Sequence, residues 1–422
     1  MPKERIITGI DIGSSKVCTI IATVSLEGKV SVIGVSSVPS QGIKKGVVVD
    51  IDEAVEAIAH SLEGAERMAG YAVSSAFISV NGKHISSLNS HGVVAVAHQD
   101  GEIVESDVMR VTEAAQAISI PSSREIIHVI PRGFIVDNQD GIRDPVGMSG
   151  IRLEVETDII SGGATVMRNL VKCVQRVGVE PEELVFSGVA ASEAVLSDTE
   201  KELGTVLIDL GGGTTSVVVF LGGSPGYSTV LPVGGQNITN DLAVGLRVSL
   251  EDAENIKIRL SEKVRPPVHP EESEEKKKER KTDEIDITDL GLERTSVSKK
   301  LVENIVEARI SEIFKMVGRE IKGSEFAEKL PAGVVLTGGG AETLGAEKVA
   351  RKVLGLPLRI GYPRGVTGLI DEIGSPAYAA SVGLVLYGAY LEHQGGLSKV
   401  ISKEKLGGIF RRILEWVKSF LP

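Results

Sequence analysis

Residues 5–38 read RIITGIDIGSSKVCTIIATVSLEGKVSVIGVSSV, and residues 204–235 read GTVLIDLGGGTTSVVVFLGGSPGYSTVLPVGG. Each runs as an apolar strand ending in Asp-x-Gly, a turn of small residues, a second β-branched strand, a glycine-containing turn and a third strand. Asp11 and Asp209 hold the same place in the two copies. Such a repeat predicts two related α/β halves that face each other across a cleft.

Three small-residue loops carry the chemistry: DIGSSK (11–16), DLGGGTT (209–215) and LTGGGA (336–341). Glycine lets backbone N–H groups approach an anion with no Cβ in the way, and successive small residues make an anion-binding nest. Gly13 in the first loop and Gly211, Gly212 and Gly213 in the second supply that backbone. Ser14, Ser15, Thr214 and Thr215 add hydroxyl donors, and Lys16 adds a charge for a β- or γ-phosphate. An aspartate heading each loop, Asp11 and Asp209, suits Mg²⁺, which keeps most of its waters and takes few carboxylates. The third loop, with Gly338, Gly339 and Gly340, carries no charge and suits the adenosine end of a nucleotide.

Composition sets the limits. The 422 residues are 42% hydrophobic and 24% charged, in the range of a folded globular chain. A formal net charge of −11 argues against nucleic acid as a partner, because phosphate backbones need a basic footprint. Cys18 and Cys173 read as buried thiols of a reducing compartment, and the seven histidines show no metal-ligand spacing. There is no leader pattern before the first strand, and no apolar run approaches the roughly eighteen residues of a spanning helix.

Between the loops, residues 50–70 carry apolar residues at helical spacing, SSAFISVNG (74–82) reads as a strand, and 84–162 is a more broken pattern that reads as an inserted subdomain. The helix ATVMRNLVKCVQRVG (164–178) follows, with Gly178 as its stop. Residues 263–286 are proline-punctuated, dense in both charges and nearly free of large apolar side chains, which predicts a mobile loop.

The three loops resemble the phosphate-1, phosphate-2 and adenosine motifs of the actin, Hsp70 and sugar-kinase superfamily. Two further marks point the same way. In PVGGQNITNDLA (232–243), Gly234 and Gly235 turn a strand into a helix; in EDAENIKIRL (251–260), Glu254 and Lys257 sit one helical turn apart. Such a pair meets ribose and adenine in the superfamily, and by itself reads as an exposed salt bridge. Within the superfamily the chain is most similar to FtsA, an actin-like bacterial cell-division family, through blocks at 41–58, 149–162 and 361–369.

That resemblance implies an actin-like, ribonuclease-H-like α/β ATPase fold. Two duplicated domains would flank a nucleotide cleft, each with an inserted smaller subdomain, and a C-terminal amphipathic helix would follow. The expected organisation is a first core domain over 1–83, completed by 163–202 and 356–392, with an FtsA-type subdomain inserted at 84–162. A second core domain spans 203–235 and 311–355, with a smaller subdomain at 236–310 that holds the charged loop and, in the family, the FtsZ contact. The resemblance further implies ATP and Mg²⁺ as ligands, assembly into a homopolymer, a peripheral place on the cytoplasmic face of the inner membrane at the septum, and FtsZ and later division proteins as partners.

The chain ends in KLGGIFRRILEWVKSFLP (405–422). At about 100° per residue, Ile409, Phe410, Ile413, Leu414, Trp416, Val417, Phe420 and Leu421 share one arc of about 160°. Arg411, Arg412, Glu415, Lys418 and Ser419 fill the opposite arc. With a linker over 393–408 before it, residues 409–421 read as an in-plane helix for an anionic lipid surface. Where relatives in the superfamily place a Glu or Gln to orient the attacking water, the aligned residue is Gly188, and nearby Glu193 reads as structural. The expectation is ATP binding with at most weak ATPase activity. The alternative is an adaptor similar to PilM of type IV pilus assembly, which would not own the amphipathic tail.

Overall fold

The computed structural model describes residues 5–98, 100–262, 284–288 and 296–393. The tail segment 409–421, the linker from 394 and residues 263–283 of the charged loop lie outside the described residues.

The first repeat folds as β1 (Arg5–Ile12), β2 (Lys16–Val24) and β3 (Val30–Pro39), an antiparallel meander. A small hairpin, β4 (Ile43–Lys44) and β5 (Val47–Val48), then leads into α1 (Ile51–Ala69). The α1 start follows from its cap: the Asp50 carboxylate accepts the N–H groups of Asp52 and Glu53 at 3.0 and 3.1 Å. It stops at Gly70, which takes the left-handed conformation with φ 64°. Ala54, Ala57, Ile58, Ser61, Leu62 and Ala65 form its buried face at the spacing of an amphipathic helix. β6 (Ser75–Val80) returns parallel to β1.

Next come the antiparallel strands β7 (Ser86–Ala95), β8 (Arg124–Val136), β9 (Gln139–Ile142) and β10 (Arg152–Gly163), covered by α2 (Glu105–Gln116). It has its own small core of Ile103, Val111, Phe134, Leu153 and Val155. The chain rejoins the first body through α3 (Ala164–Arg176), β11 (Glu180–Phe186) and α4 (Ser187–Val195), buried at every residue but Glu193. Gly178, at φ 85°, stands just past α3 as its pattern predicts. α5 (Asp198–Leu203) is the bridge to the second repeat.

The second repeat gives β12 (Thr205–Leu210), β13 (Thr215–Leu221) and β14 (Ser224–Leu231), then α6 (Gly235–Leu246) and α7 (Leu250–Glu262). β15 (Glu284–Asp286) and β16 (Ser296–Ser298) pair antiparallel before the long helix Lys299–Gly323. β17 (Val334–Thr337), the helix Ala346–Leu354, β18 (Leu358–Ile360) and β19 (Val366–Gly368) follow, and the helix Ala379–His393 ends the described chain.

The duplication holds to the residue. One sheet runs β11-β6-β1-β2-β3-β19 and the other begins β18-β17-β12-β13-β14. In each, a meander is flanked by two parallel strands on the side of its first strand. Asp11 pairs with Cys18 and Asp209 with Ser216, the same register in both hairpins.

Three boundaries differ from the sequence reading. Residues 284–286, expected within the mobile loop, are a strand, because Ile285, Ile287 and Val297 find apolar cover in the second core. Residues 358–360, expected in the first domain, are the edge strand β18 of the second sheet. The helix Lys299–Gly323 also runs unbroken through the expected border at 310. One further arrangement has no local signal: the inserted sheet leaves the first body yet extends the second body's sheet, joined to β14 through Thr229 and Ser86.

Candidate functional site

The two aspartate-headed turns close in the same way. Gly13 N–H donates to the Lys16 carbonyl at 3.0 Å, and Gly211 N–H to the Thr214 carbonyl at 2.9 Å. The turns face each other so closely that a Cβ on Gly212 would lie 2.7 Å from the Ser15 Cβ, and one on Gly213 2.8 Å from the Ser14 Oγ. Any side chain at either glycine would push the two halves apart. Thr215 is tied to the Val233 carbonyl at 2.7 Å, which fixes the end of the second turn.

At the floor, Asp11 accepts from the Ser79 and Ser381 hydroxyls at 2.8 and 2.9 Å. Burial, with Asp11 nearby, pushes Asp209 up to about 7. The Lys16 ammonium is buried, stands 3.2 Å over the Tyr378 ring and has no hydrogen-bond partner. Burial draws its pKa down, opposed by the thiol of Cys18 and the carboxylates of Asp11, Asp209 and Glu342. A buried ammonium with no acceptor is costly; an anion between the turns would supply the acceptor.

The third loop begins against the second turn. Gly338 has φ 83°, and a Cβ there would come 2.3 Å from Asp209 Oδ1, so only glycine fits. Gly339 and Gly340 follow as a short 3₁₀ turn, with Gly339 beside Ala377 and Gly340 over Leu210. Gly234 and Gly235 open α6 against the second turn: Gly235 N–H donates to the Gly211 carbonyl at 2.9 Å, and a Cβ on Gly234 would lie 2.5 Å from that oxygen.

Glu254 and Lys257 form an ion pair at 2.7 Å, and Lys257 also donates to Thr239 Oγ1 at 3.0 Å. The pair therefore packs on the first turn of α6 beside Gly235, with Lys257 nearly buried, instead of standing free in solvent as an isolated i,i+3 pair would. Gly188 is enclosed: a Cβ would lie 2.7 Å from Val218, so the position faces the core and has no room for a water-orienting side chain. Glu193 is paired with Lys201 at 2.8 Å.

Several site residues were not singled out from sequence. Gln236 bridges the two turns, its N–H on the Gly212 carbonyl at 2.8 Å and its side chain on the Ser14 carbonyl at 3.0 Å. The two-residue tip of the β4–β5 hairpin, Lys45 and Gly46, has φ 51° and 75°, the pair of positive values a type I′ turn demands. Gly46 N–H donates to Ser14 Oγ at 2.8 Å, so this tip abuts the first turn. Gly46, which ends the stretch QGIKKG (41–46), was the available signal. Ser79, Tyr378 and Ser381 had none, being distant in sequence from the residues they meet.

The donor set fits a nucleoside polyphosphate with Mg²⁺. Two facing turns offer N–H and hydroxyl groups, an ammonium without an acceptor stands beside them, and the raised Asp209 carboxylate, with Asp11 nearby, would be relieved by a hard dication. No group of three or more His, Cys, Asp or Glu side chains among the described residues is placed to hold a metal by protein ligands alone.

A family model described as "SHS2 domain inserted in FTSA" matches residues 82–161, and one described as "Cell division protein FtsA" matches residues 206–383. The protein named "Cell division protein FtsA" from Pseudomonas aeruginosa is 36% identical over 421 residues, covering 98% of each chain. The chain belongs to the FtsA family. The FtsA of Borreliella burgdorferi is 39% identical over 95% of each chain, and that of Bacillus subtilis 40% over 92% of this chain and 84% of its own. Among solved structures, one titled "PilM-PilN type IV pilus biogenesis complex" superposes with a TM-score of 0.62 at 16% identity, over 91% of this chain and 98% of its own. MreB5 of Spiroplasma citri bound to ADP gives 0.53 at 15%, over 94% of this chain and 100% of its own. These distant structures establish the actin-like fold for this FtsA-family chain.

Proposed function

We propose that this FtsA-family protein is an actin-like, ATP-binding cell-division protein that assembles with itself on the cytoplasmic face of the inner membrane at the septum. There it holds FtsZ filaments and recruits later division proteins. The buried, partnerless Lys16 ammonium between two aspartate-headed turns carries the nucleotide part of this reading. Asp11 and Asp209 would share Mg²⁺, which supplies charge neutralisation to the phosphates. Gly13 to Lys16 and Gly211 to Thr215 would hold the phosphates, while Gly234, Gly235, Glu254, Lys257 and Gly338 to Gly340 would line the nucleoside side.

ATP binding without brisk turnover is the reading for catalysis, since the Gly188 position has no space for a water-orienting carboxylate or amide. Nucleotide then acts by favouring one closure of the two halves. The membrane and FtsZ parts rest on the family and on the two-faced segment Ile409–Leu421. That segment also favours this reading over a PilM-like cytoplasmic adaptor. No helix among the described residues is long and apolar enough to cross a membrane, so attachment would be peripheral.

The test is sedimentation of the full chain with anionic liposomes and FtsZ, with and without Mg–ATP, beside a variant truncated before Gly407. Full-length protein should carry FtsZ down with the liposomes, and the truncated form should leave both in solution. Liposome binding that survives truncation would refute the anchor.

A further inference from the structure

The inserted subdomain joins the body through two neck strands, one entering after β6 and one leaving at the end of β10. A line of hydrogen bonds runs from the second turn into that neck, and its centre is Asn81. Gly82 N–H donates to Asn81 Oδ1 at 2.8 Å. A backbone N–H can only donate, so this bond fixes which end of the amide is oxygen. The Ser216 hydroxyl donates to the same Oδ1 at 3.3 Å. The amide nitrogen is thereby turned to Thr214, and Nδ2 donates to Thr214 Oγ1 at 3.3 Å. A threonine hydroxyl that already accepts a bond keeps its own proton for another acceptor. For Thr214, in the second turn, an anion held between the turns would be such an acceptor.

The other side of Asn81 leads to the neck. Its carbonyl is 3.0 Å from His84 Nε2, and His84 Nδ1 accepts from Gly163 N–H at 3.0 Å. The second bond requires an unprotonated Nδ1, so the ring is neutral and Nε2 is the donor to Asn81. Burial lowers the His84 pKa, in keeping with that state. The single ring thus staples the entering neck strand to the leaving one. The Lys45–Gly46 tip adds a second link, since a Cβ on Gly46 would lie 2.8 Å from the Asn81 carbonyl while Gly46 N–H holds Ser14.

We infer that Asn81 is a positioning residue that aims the Thr214 hydroxyl at a bound phosphate and, through His84, passes occupancy of the site to the neck of the inserted subdomain. This rests on the nucleotide reading above and adds to it a named route by which nucleotide reaches a subdomain with no part in the cleft. Loss of the phosphate-facing bond loosens the Asn81 side chain; loss of that side chain leaves the backbone carbonyl on His84 but no longer ties it to the second turn, so occupancy no longer reaches Gly163.

The experiment pairs titration of Mg–ADP and Mg–ATP with residue-resolved amide exchange on the full chain, for wild type, Asn81→Ala and His84→Gln. Wild type should bind, with exchange at Gly82 and Gly163 slowed by nucleotide. Asn81→Ala should bind about fivefold to tenfold more weakly, the worth of one hydrogen bond, and lose the nucleotide effect at Gly163 even when saturated. His84→Gln should bind as wild type does but show no nucleotide effect at Gly163, which a merely structural asparagine would not produce. Should Asn81→Ala not fold, His84→Gln still decides the relay, and Thr214→Val should reproduce the weaker binding. Wild-type binding with an Asn81→Ala variant of equal affinity, or with Gly163 still protected by nucleotide in His84→Gln, overturns this inference alone. Failure of wild type to bind overturns the nucleotide reading and this inference together.

Discussion

Lys16 shows how a single residue can carry the argument for a ligand. Its ammonium is taken out of water over an aromatic face with no hydrogen-bond acceptor, and burial outweighs the pull of the neighbouring carboxylates, a placement that costs stability unless an anion joins it. Lys16→Ala should therefore leave the melting temperature of the nucleotide-free protein unchanged or raised. It should also weaken Mg–ATP binding by roughly tenfold to a hundredfold, the size of a charge-assisted bond. Thermal melts beside a titration check both, and a destabilised variant with intact affinity would contradict the assignment. Asp209 gives a pH prediction. Burial and the neighbouring Asp11 raise it from 3.8 to about 7, so between those values the folded state holds a proton the unfolded state has released. Its contribution to stability is full below pH 3.8 and is lost as pH rises through about 7. Without nucleotide or Mg²⁺, Asp209→Asn should gain melting temperature over wild type as pH goes from 5 to 8. A gap that narrows instead would place the carboxylate in a less buried or less crowded setting.

At the scale of elements, the β4–β5 hairpin shows local preference yielding to a tertiary demand. Its turn wants glycine or asparagine at both positive-φ positions, yet Lys45 occupies the first at φ 51°. Relieving that conformation should make Lys45→Gly more stable by up to about 1 kcal/mol. Gly46→Ala should lose at least about 1 kcal/mol, through a strained φ and a Cβ 2.8 Å from the Asn81 carbonyl. Denaturant midpoints of the two variants should move in opposite directions; a shared direction would mean that the tip is not docked as described. The α1 caps at Asp50 and Gly70 behaved as local rules predict. β15 did not, because three residues with one isoleucine carry too little pattern to announce a strand beside a charged run.

For the whole molecule, the tail segment and the self-assembly proposal combine. Burying one large side chain fully contributes roughly 1.5–3 kcal/mol, but an in-plane helix immerses its face only partly and must fold as it binds. Each basic residue adds about 1 kcal/mol near anionic lipid. A single tail would then hold modestly, and many tails on one filament would hold together through their effective concentration. A variant unable to self-assemble should leave liposomes at concentrations where wild type stays bound, as read by co-sedimentation. Equal retention of the two would assign the attachment to the single tail.

What the amino-acid order decided by itself was the repeat: Asp-x-Gly after an apolar strand, twice, foretold the two sheets, the two turns and their common register. Alternation and small-residue turns are local signals, and burial of the alternate face allows only one register. The glycines of the loops were legible for the same reason. What only the tertiary structure decided were meetings across long separations, such as Ser381 on Asp11 and Asn81 on Thr214. The attachment of the inserted sheet to the edge of the opposite half belongs with them. Serine and asparagine pair with almost any polar group, so their neighbours along the chain say nothing of the distant partner they find; the packing of the two halves against each other chooses it.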